Sequence, residues 1–389
     1  MESLRIYEQH GLELRHWFHA HPEPSFKEFG TAGRIREELE RLHIPYVAVG
    51  ATGTVATVVG IAQNQDAIQP ERVVALRADI DALEISEDSG LSWCSVNPGL
   101  MHACGHDIHI TALLIAAHWL IEHRSAFSGS VKLIFQAAEE IGQGAAQIIQ
   151  SGAIDGVDVV FGLHVEPALP VGTIVLPRGP VMAGSNALRI HVIGEGGHGG
   201  KPHEARDALL AAAAIVVNLQ QVVTRATSAV EPAVLSICQF NAGTRGNIIA
   251  NTAELIGTIR VSRENQRAVV EEAVRRIIRG TATAYDVDAE VEYFYATPPI
   301  VNPPHLMSLA LRAHEALLPG GALIEEWPQM TTEDFGRYGE VAATFYALVG
   351  VHGEPFKPLH NAGFSALDES ILIAAGLHVA FALEALKEA

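Results

Sequence analysis

The sequence predicts an α/β layer fold interrupted by a smaller unit with its own core. Three observations predict it. Short apolar runs rich in Val and Ile alternate with helical patterns. Stretches bearing Pro and Gly near 177–186 and 296–304 bracket a segment with a different order of strands and helices. The length of 389 residues exceeds what one ordinary core organises.

In chain order, TVATVVG (54–60), RVVALRA (72–78), VKLIF (131–135) and VVFGL (159–163) have the composition of strands buried on both faces. Within 108–123, Ile110, Leu113, Leu114, Ala117 and Ile121 share one helix face. PRGPVMAGSN (177–186) breaks the pattern. A strand (187–194), a long helix (204–225), two strands (233–241 and 253–261), a second helix (263–285) and a last strand (289–296) follow. The order β-α-β-β-α-β is that of a ferredoxin-like module. The prolines of ATPPIVNPP (296–304) end it, and 305–389 returns to helix, strand (341–350) and helix. The expected domains are 1–183 with 297–389, and an inserted 184–296.

Composition narrows the function. Hydrophobic residues make up 48% and charged residues 18%, which is globular. The 45 acidic residues outnumber the 26 basic ones, a formal charge of −19, so phosphate backbones and anionic membranes are disfavoured as partners. The three cysteines, Cys94, Cys104 and Cys238, do not make a disulfide framework. The first 23 residues lack the basic start and apolar run of a signal peptide, and TALLIAA and DALLAAAAIVV fall short of a bilayer span. A cytoplasmic protein is expected.

The chemistry concentrates in a few loops. LMHACGHDIHI (100–110) holds His102, Cys104, His106, Asp107 and His109. Asp79 and Asp81 follow the second strand, Glu139 and Glu140 the third, and His164 the fourth; His360 lies in FKPLHNAGF. In open α/β sheets, ligands bind beyond the carboxyl ends of strands, so these loops fall on one rim. Imidazole, thiolate and carboxylate are the donors of Zn²⁺-type ions, and hydrolysis adds a base for water. An adjacent Glu pair can divide those tasks. Each residue has a plainer alternative: a structural histidine, a small buried thiol, a solvated helix start. No Gly-x-Ser-x-Gly is present, and AGSN (183–186) is a poor substitute, which leaves a serine hydrolase little support.

With these residues assembled, the chain resembles the metal-dependent amidohydrolases and exopeptidases that include hippurate hydrolases, auxin-conjugate hydrolases of the IAA-amino acid type and bacterial N-acyl-amino-acid aminoacylases. HPEPSFKEFGTA, LRADIDAL, MHACGHDIHITALLIAA, IFQAAEE, FGLHVEP, GGHGGKPHEARDA, GNIIANTAELIGTIR, EDF (333–335) and PLHNAGF carry the resemblance nearly end to end. It implies a zinc-exopeptidase-like mixed sheet flanked by helices, with the inserted module serving as lid and dimerisation domain of a homodimer. It implies two divalent ions, Zn or Mn, held by Cys104, His106, Glu140, His164 and His360. Glu139 becomes the base that takes a proton from the attacking water. His198 stabilises the oxyanion, in relatives often across subunits, Asn247 lines the substrate site, and Asp79 sits behind the metals and orients a metal histidine. The implied reaction is hydrolysis of the amide bond of N-acyl amino acids or similar conjugates. The alternatives are an exopeptidase on short peptides and a metal-containing binding protein without catalysis.

The sequence also departs from the family pattern. Glu84 and Ala250 stand where proline is usual, Asn361 replaces a second histidine, Ser365 falls in an often acidic stretch, and MTTEDF varies a run of small residues. None of these is an implied metal ligand. Arg245 is an extra cation beside Asn247, placed to meet a substrate carboxylate; the plainer alternative is a surface arginine.

Overall fold

The apolar runs form the middle of one twisted sheet. The computed structural model describes residues 2–62, 72–353 and 356–387; Met1 and residues 388–389, the ends of the larger expected domain, lie outside these. In chain order come α1 (Glu8–Ala20), α2 (Phe29–Arg41), β1 (Tyr46–Val49), β2 (Gly53–Val59), β3 (Val73–Asp79), α3 (His106–Glu122), β4 (Ser130–Gln136), α4 (Gly144–Gln150), β5 (Val159–Pro170), β6 (Thr173–Val175) and β7 (Gly179–Met182). Next are β8 (Gly184–Ile193), β9 (Gly197–His198), α5 (Ala208–Gln221), β10 (Ala233–Ala242), β11 (Ile248–Ile249), β12 (Thr252–Val261), α6 (Asn265–Ala284) and β13 (Asp288–Thr297). The chain closes with β14 (Ile300–Asn302), α7 (Pro304–Leu317), β15 (Ala322–Ile324), β16 (Ala343–His352) and α8 (Ser370–Lys387).

Two units result. The first takes residues up to 181, 301–328 and those from 334 on; the second takes 182–300 and 329–333. The segment 329–333 joins the second unit because the Ala183 N–H donates to the Thr331 carbonyl at 2.9 Å and Arg260 bonds to the Thr332 hydroxyl.

The first unit holds a mixed sheet in the order β1-β2-β4-β3-β5-β16-β6-β15. Strands β4, β3, β5 and β16 run parallel at its centre, so their carboxyl ends share one edge. Both faces are covered, which explains the continuous Val/Ile runs. Helix α3 is buried almost all round, and it packs in the same core as Phe161 of β5, Phe345 of β16 and Leu377 and Phe381 of α8. The fourth expected strand proves much longer. β5 continues through EPALP to Pro170, because Val165, Glu166 and, across a register shift, Pro170 pair with β16.

The second unit places four long strands in the antiparallel order β10-β12-β8-β13, with α5 and α6 packed over Leu188, Ile190, Leu255 and Ile259. The long elements follow β-α-β-β-α-β. The expected helix 204–225 is shorter at its start: Asp207 is extended, its Oδ1 accepts the Leu210 N–H at 3.1 Å, and α5 begins at Ala208. The last turn, Val222–Ala226, widens into a π-helix.

Ala208–Ala226 and Ser370–Lys387 are long and apolar enough to cross a membrane by length and composition, which corrects the expectation drawn from shorter runs. Packing accounts for most of the second and about a third of the first. Most of Ser370–Lys387 is buried, and α5 buries Ala208, Ala211, Ala212, Ile215 and Leu219.

Candidate metal centre

The parallel strands deliver the polar residues to one edge of the first unit. Asp79 is the last residue of β3, and Glu139 and Glu140 occupy the turn after β4. His164 lies within β5, not after it. Cys104 and His106 flank the glycine that starts α3, and His360 sits in the loop before α8.

Three local conformations fix these loops. Gly105 has φ +81°, and a Cβ there would stand 2.4 Å from Cγ2 of Val165; only glycine lets the loop turn this close to β5. Ala138 holds φ +55° without being glycine, a conformation that costs roughly 1 kcal/mol. The chain holds it there through the Ala138 N–H, which donates to buried Glu28 at 2.9 Å, and its carbonyl, which accepts from Gly144 at 3.1 Å. His360 has φ +60°, and its N–H donates to the Ala103 carbonyl at 2.9 Å, tying the two ends of the site together.

The donor atoms converge. Sγ of Cys104 is 3.4 Å from Nε2 of His164. Nε2 of His106 is 3.9 Å from Oε1 of Glu140, and Nε2 of His360 is 3.8 Å from Oε2 of Glu140. In each of three overlapping sets the ligand atoms lie within 4.8 Å of one another: Cys104, His106 and His164; Cys104, Glu140 and His360; His106, Glu139 and Glu140. The structure therefore brings Cys104, His106, Glu139, Glu140, His164 and His360 together.

The imidazoles present their lone pairs inward. His106 Nδ1 is 2.8 Å from the Asp81 carbonyl, and His164 Nδ1 is 2.7 Å from the Val165 carbonyl. In the neutral rings, the form that binds a cation, each Nδ1 therefore carries the proton and each Nε2 the lone pair. Nε2 of His106 and Oε1 of Glu140 are buried with no hydrogen-bond partner among the described residues. Buried polar atoms are seldom left so. A cation among them supplies what they lack, so the donor set fits a divalent ion.

Asp79 is placed differently from the role the resemblance implies. Its Oδ1 accepts from His109 Nδ1 at 2.6 Å and its Oδ2 from Arg77 at 2.7 Å, while His106 Nε2 is 3.6 Å away. His109 in turn accepts the Val165 N–H at 3.0 Å. Both nitrogens of His109 are thus engaged, and Asp79 steadies β5 beside His164 through that ring.

The sequence placed Asp81 on the rim without a role, and Ser25 and Glu28 only within a longer motif. Asp81 orients His106 through its carbonyl, and its Oδ2 accepts from Ser25 at 2.6 Å and from the Glu140 N–H at 3.1 Å. Glu28 accepts from Thr52 at 2.6 Å as well as from Ala138. Ser25 and Glu28 lie in HPEPSFKE, so that motif was the available signal, and its work is to hold the loops of the rim.

Charge reinforces the geometry. Burial pushes the Glu140 carboxyl up to about 7 against the pull of His106. Burial also pushes the Cys104 thiol well above its usual value. Burial opposes a charged His106, yet the Asp79 carboxylate holds its pKa well above the ordinary range, so without a cation the ring keeps a proton on Nε2 as well. The rim gathers acidic groups that take up protons, and a divalent cation would displace those protons.

His198, Asn247 and Arg245 all lie in the second unit and are exposed. His198 of β9 pairs with Ile248 of β11, and the Gly199 N–H donates to the Asn247 carbonyl at 2.9 Å. Nδ1 of His198 accepts the Gly200 N–H at 3.0 Å, so in the neutral ring Nε2 carries the proton and can donate.

An α/β sheet with this donor cluster and a neighbouring carboxylate defines the class as a metal-dependent hydrolase of amide bonds. Comparison with known proteins agrees: residues 75–384 match Peptidase family M20/M25/M40, and the chain belongs to that family. It is 36% identical to the N-acetylcysteine deacetylase of Bacillus subtilis (strain 168) over 368 residues, covering 93% of each chain. It is 36% identical to thermostable carboxypeptidase 2 of Saccharolobus solfataricus over 379 residues, covering 96% of this chain and 94% of that one. Among solved structures, a dinuclear metal-binding peptidase of the M20 family from Bacillus subtilis superposes with a TM-score of 0.88 at 32% identity, covering 99% of this chain and 100% of that one.

Proposed function

We propose that the chain hydrolyses the amide bond of N-acyl amino acids, acyl–NH–CHR–COO⁻, with two divalent ions at the rim. The names of the two relatives support this substrate class. A deacetylase of an N-acetyl amino acid and a carboxypeptidase both cut an amide whose amine side is an amino acid with a free carboxylate. The exopeptidase reading differs only in the acyl group.

Cys104, His106, Glu140, His164 and His360 would hold the ions, with Zn²⁺ favoured by the thiol and imidazoles and Mn²⁺ by the carboxylates. Such ions, when bound, polarise the scissile carbonyl and acidify water. Glu139 takes the water's proton on its carboxylate and delivers it to the departing amine. His198 donates from Nε2 to the oxyanion. Arg245 and Asn247 bind the substrate carboxylate; in a chain of charge −19, an anionic substrate requires such a local cation. The second unit would serve as lid and dimer contact. The exposed edge of β10 with Val234 and Phe240, and the exposed Leu209, Leu210 and Val217 of α5, support a contact with a second copy. Three free cysteines, two of them exposed, support a reducing cytoplasm.

The observation that carries the reading is the adjacency of Glu139 and Glu140, both in one donor set with His106. Elemental analysis of the purified protein, together with assays on acetyl, benzoyl and dipeptide substrates, tests it. Glu139→Gln should keep the metals and substrate binding while turnover falls about 10²–10⁴-fold. Unchanged turnover in that variant removes the mechanism. Intact metals with no turnover of any amide in the wild type favour the binding-protein alternative.

A further inference from the structure

Away from the rim, α1, α2 and α3 meet at a second group of donors: His10 in the first turn of α1, Glu38 in the last turn of α2, and His118 near the end of α3. Oε2 of Glu38 is 3.1 Å from Nε2 of His10 and 3.7 Å from Nε2 of His118, and the three ligand atoms lie within 4.8 Å of one another. The two rings meet edge to face, with centroids 5.1 Å apart. The other oxygen of Glu38 is 3.1 Å from Arg34, which turns Oε2 toward the imidazoles.

Arg41 fills the middle of this group. Its Nη2 is 2.7 Å from Oε2 of Glu38 and 3.0 Å from each Nε2. That nitrogen bears two N–H bonds and lies between three possible acceptors, and Nε of Arg41 is also 3.1 Å from Oε2 of Glu38. When both neutral rings carry their proton on Nδ1, three lone pairs aim at one point, more than two N–H bonds can serve. Such a set suits a small cation, and two imidazoles with a carboxylate are a ligand set of Zn²⁺. The Arg41 side chain is 53% exposed, so it can withdraw into water, and His10 at 28% leaves an opening to solvent. His118 follows His106 by twelve residues, about 18 Å along the helix, so the group is separate from the rim.

We propose that His10, Glu38 and His118 form an auxiliary site for a Zn²⁺-type divalent cation, which Arg41 closes when the ion is absent. Bound there, the ion replaces Arg41 as the cross-link of three helices and stabilises the first unit. Arg34 stays paired with Glu38 in both states.

The test uses the full-length purified protein, dialysed against graded free Zn²⁺, with ions per chain counted by elemental analysis. Wild type is compared with His10→Ala, His118→Gln and Arg41→Gln. Because the readout is a difference between proteins, it does not depend on how many ions the rim holds. The wild type should hold one more ion per chain than His10→Ala and His118→Gln. Arg41→Gln should bind that ion about tenfold more tightly, since no competitor remains, and its melting temperature should rise with Zn²⁺. His10 is partly exposed, so His10→Ala stays informative if His118→Gln fails to fold. Equal ion counts in wild type and His10→Ala overturn the site, and an extra ion found only in Arg41→Gln does the same.

Discussion

At the scale of single residues, two positive φ angles do opposite work. Gly105 needs its missing side chain, because a Cβ would strike Val165. Gly105→Ala should therefore cost about 1–3 kcal/mol of stability and weaken metal retention, as read by urea unfolding and elemental analysis. Ala138 sits in the same region of backbone space but has a side chain. Ala138→Gly should leave stability unchanged or raise it by about 0.5–1 kcal/mol, with turnover retained. Equal losses in both variants would contradict the account of the two turns. Much of the rim was legible at this scale, since the sequence already grouped Cys104, His106, Glu139, Glu140, His164 and His360. What it could not reveal was direction. Asp79 reads as a partner of a metal histidine, but its hydrogen bonds go to His109 and Arg77. Which ring a carboxylate meets depends on packing between strands, and spacing along the chain does not encode that.

At the scale of elements, α1 is joined to α3 by buried charge. His19 of α1 is 2.9 Å from Asp107 of α3 and 3.1 Å from Glu87, and Arg15 is 3.3 Å from the same Asp107 carboxylate while also meeting Asp368. Burial alone would lower the pKa of His19, yet Asp107 and Glu87 outweigh it and raise the pKa to about 9. The unfolded ring titrates near its ordinary value of about 6.5. The folded state thus holds the proton more tightly, and this stabilisation is complete below about pH 6.5 and lost as pH rises through about 9, on the order of 1–3 kcal/mol. Denaturant unfolding at pH 6 and pH 9.5 should show a larger loss for wild type than for His19→Gln. A parallel decline in the two proteins would sink the prediction. The same elements show where strand reading stops. EPALP carries two prolines and lies beyond the expected strand 159–163, but pairing of Glu166 and Pro170 with β16 keeps it strand to Pro170. The helix expected from 204 starts at 208 because Asp207 caps it. The polar spacing of 204–207 did not reveal that stop.

At the scale of the whole molecule, two separate cores imply two responses to one treatment. The first core lies under the metal-binding rim, and the second is built from Leu188, Ile190, Leu255, Ile259 and their neighbours. Chelation should lower the unfolding temperature of the first unit, because ions that bind only its folded rim stabilise it by mass action. The second unit should keep its transition in differential scanning calorimetry. Equal displacement of both transitions would mean the units unfold as one. Breaks at 177–186 and 296–304 mark the excursion in the sequence, whereas the return of 329–333 to the second unit rests on bonds from Ala183 and Arg260 with no compositional mark. The backbone bond between His360 and Ala103 has an implication for synthesis in the cell. A ribosome makes Cys104 and His106 more than 250 residues before His360, so a nascent chain cannot close this ring of donors until His360 has emerged. The complete set of donors therefore forms only after both ends of that long span have been synthesised and folded together.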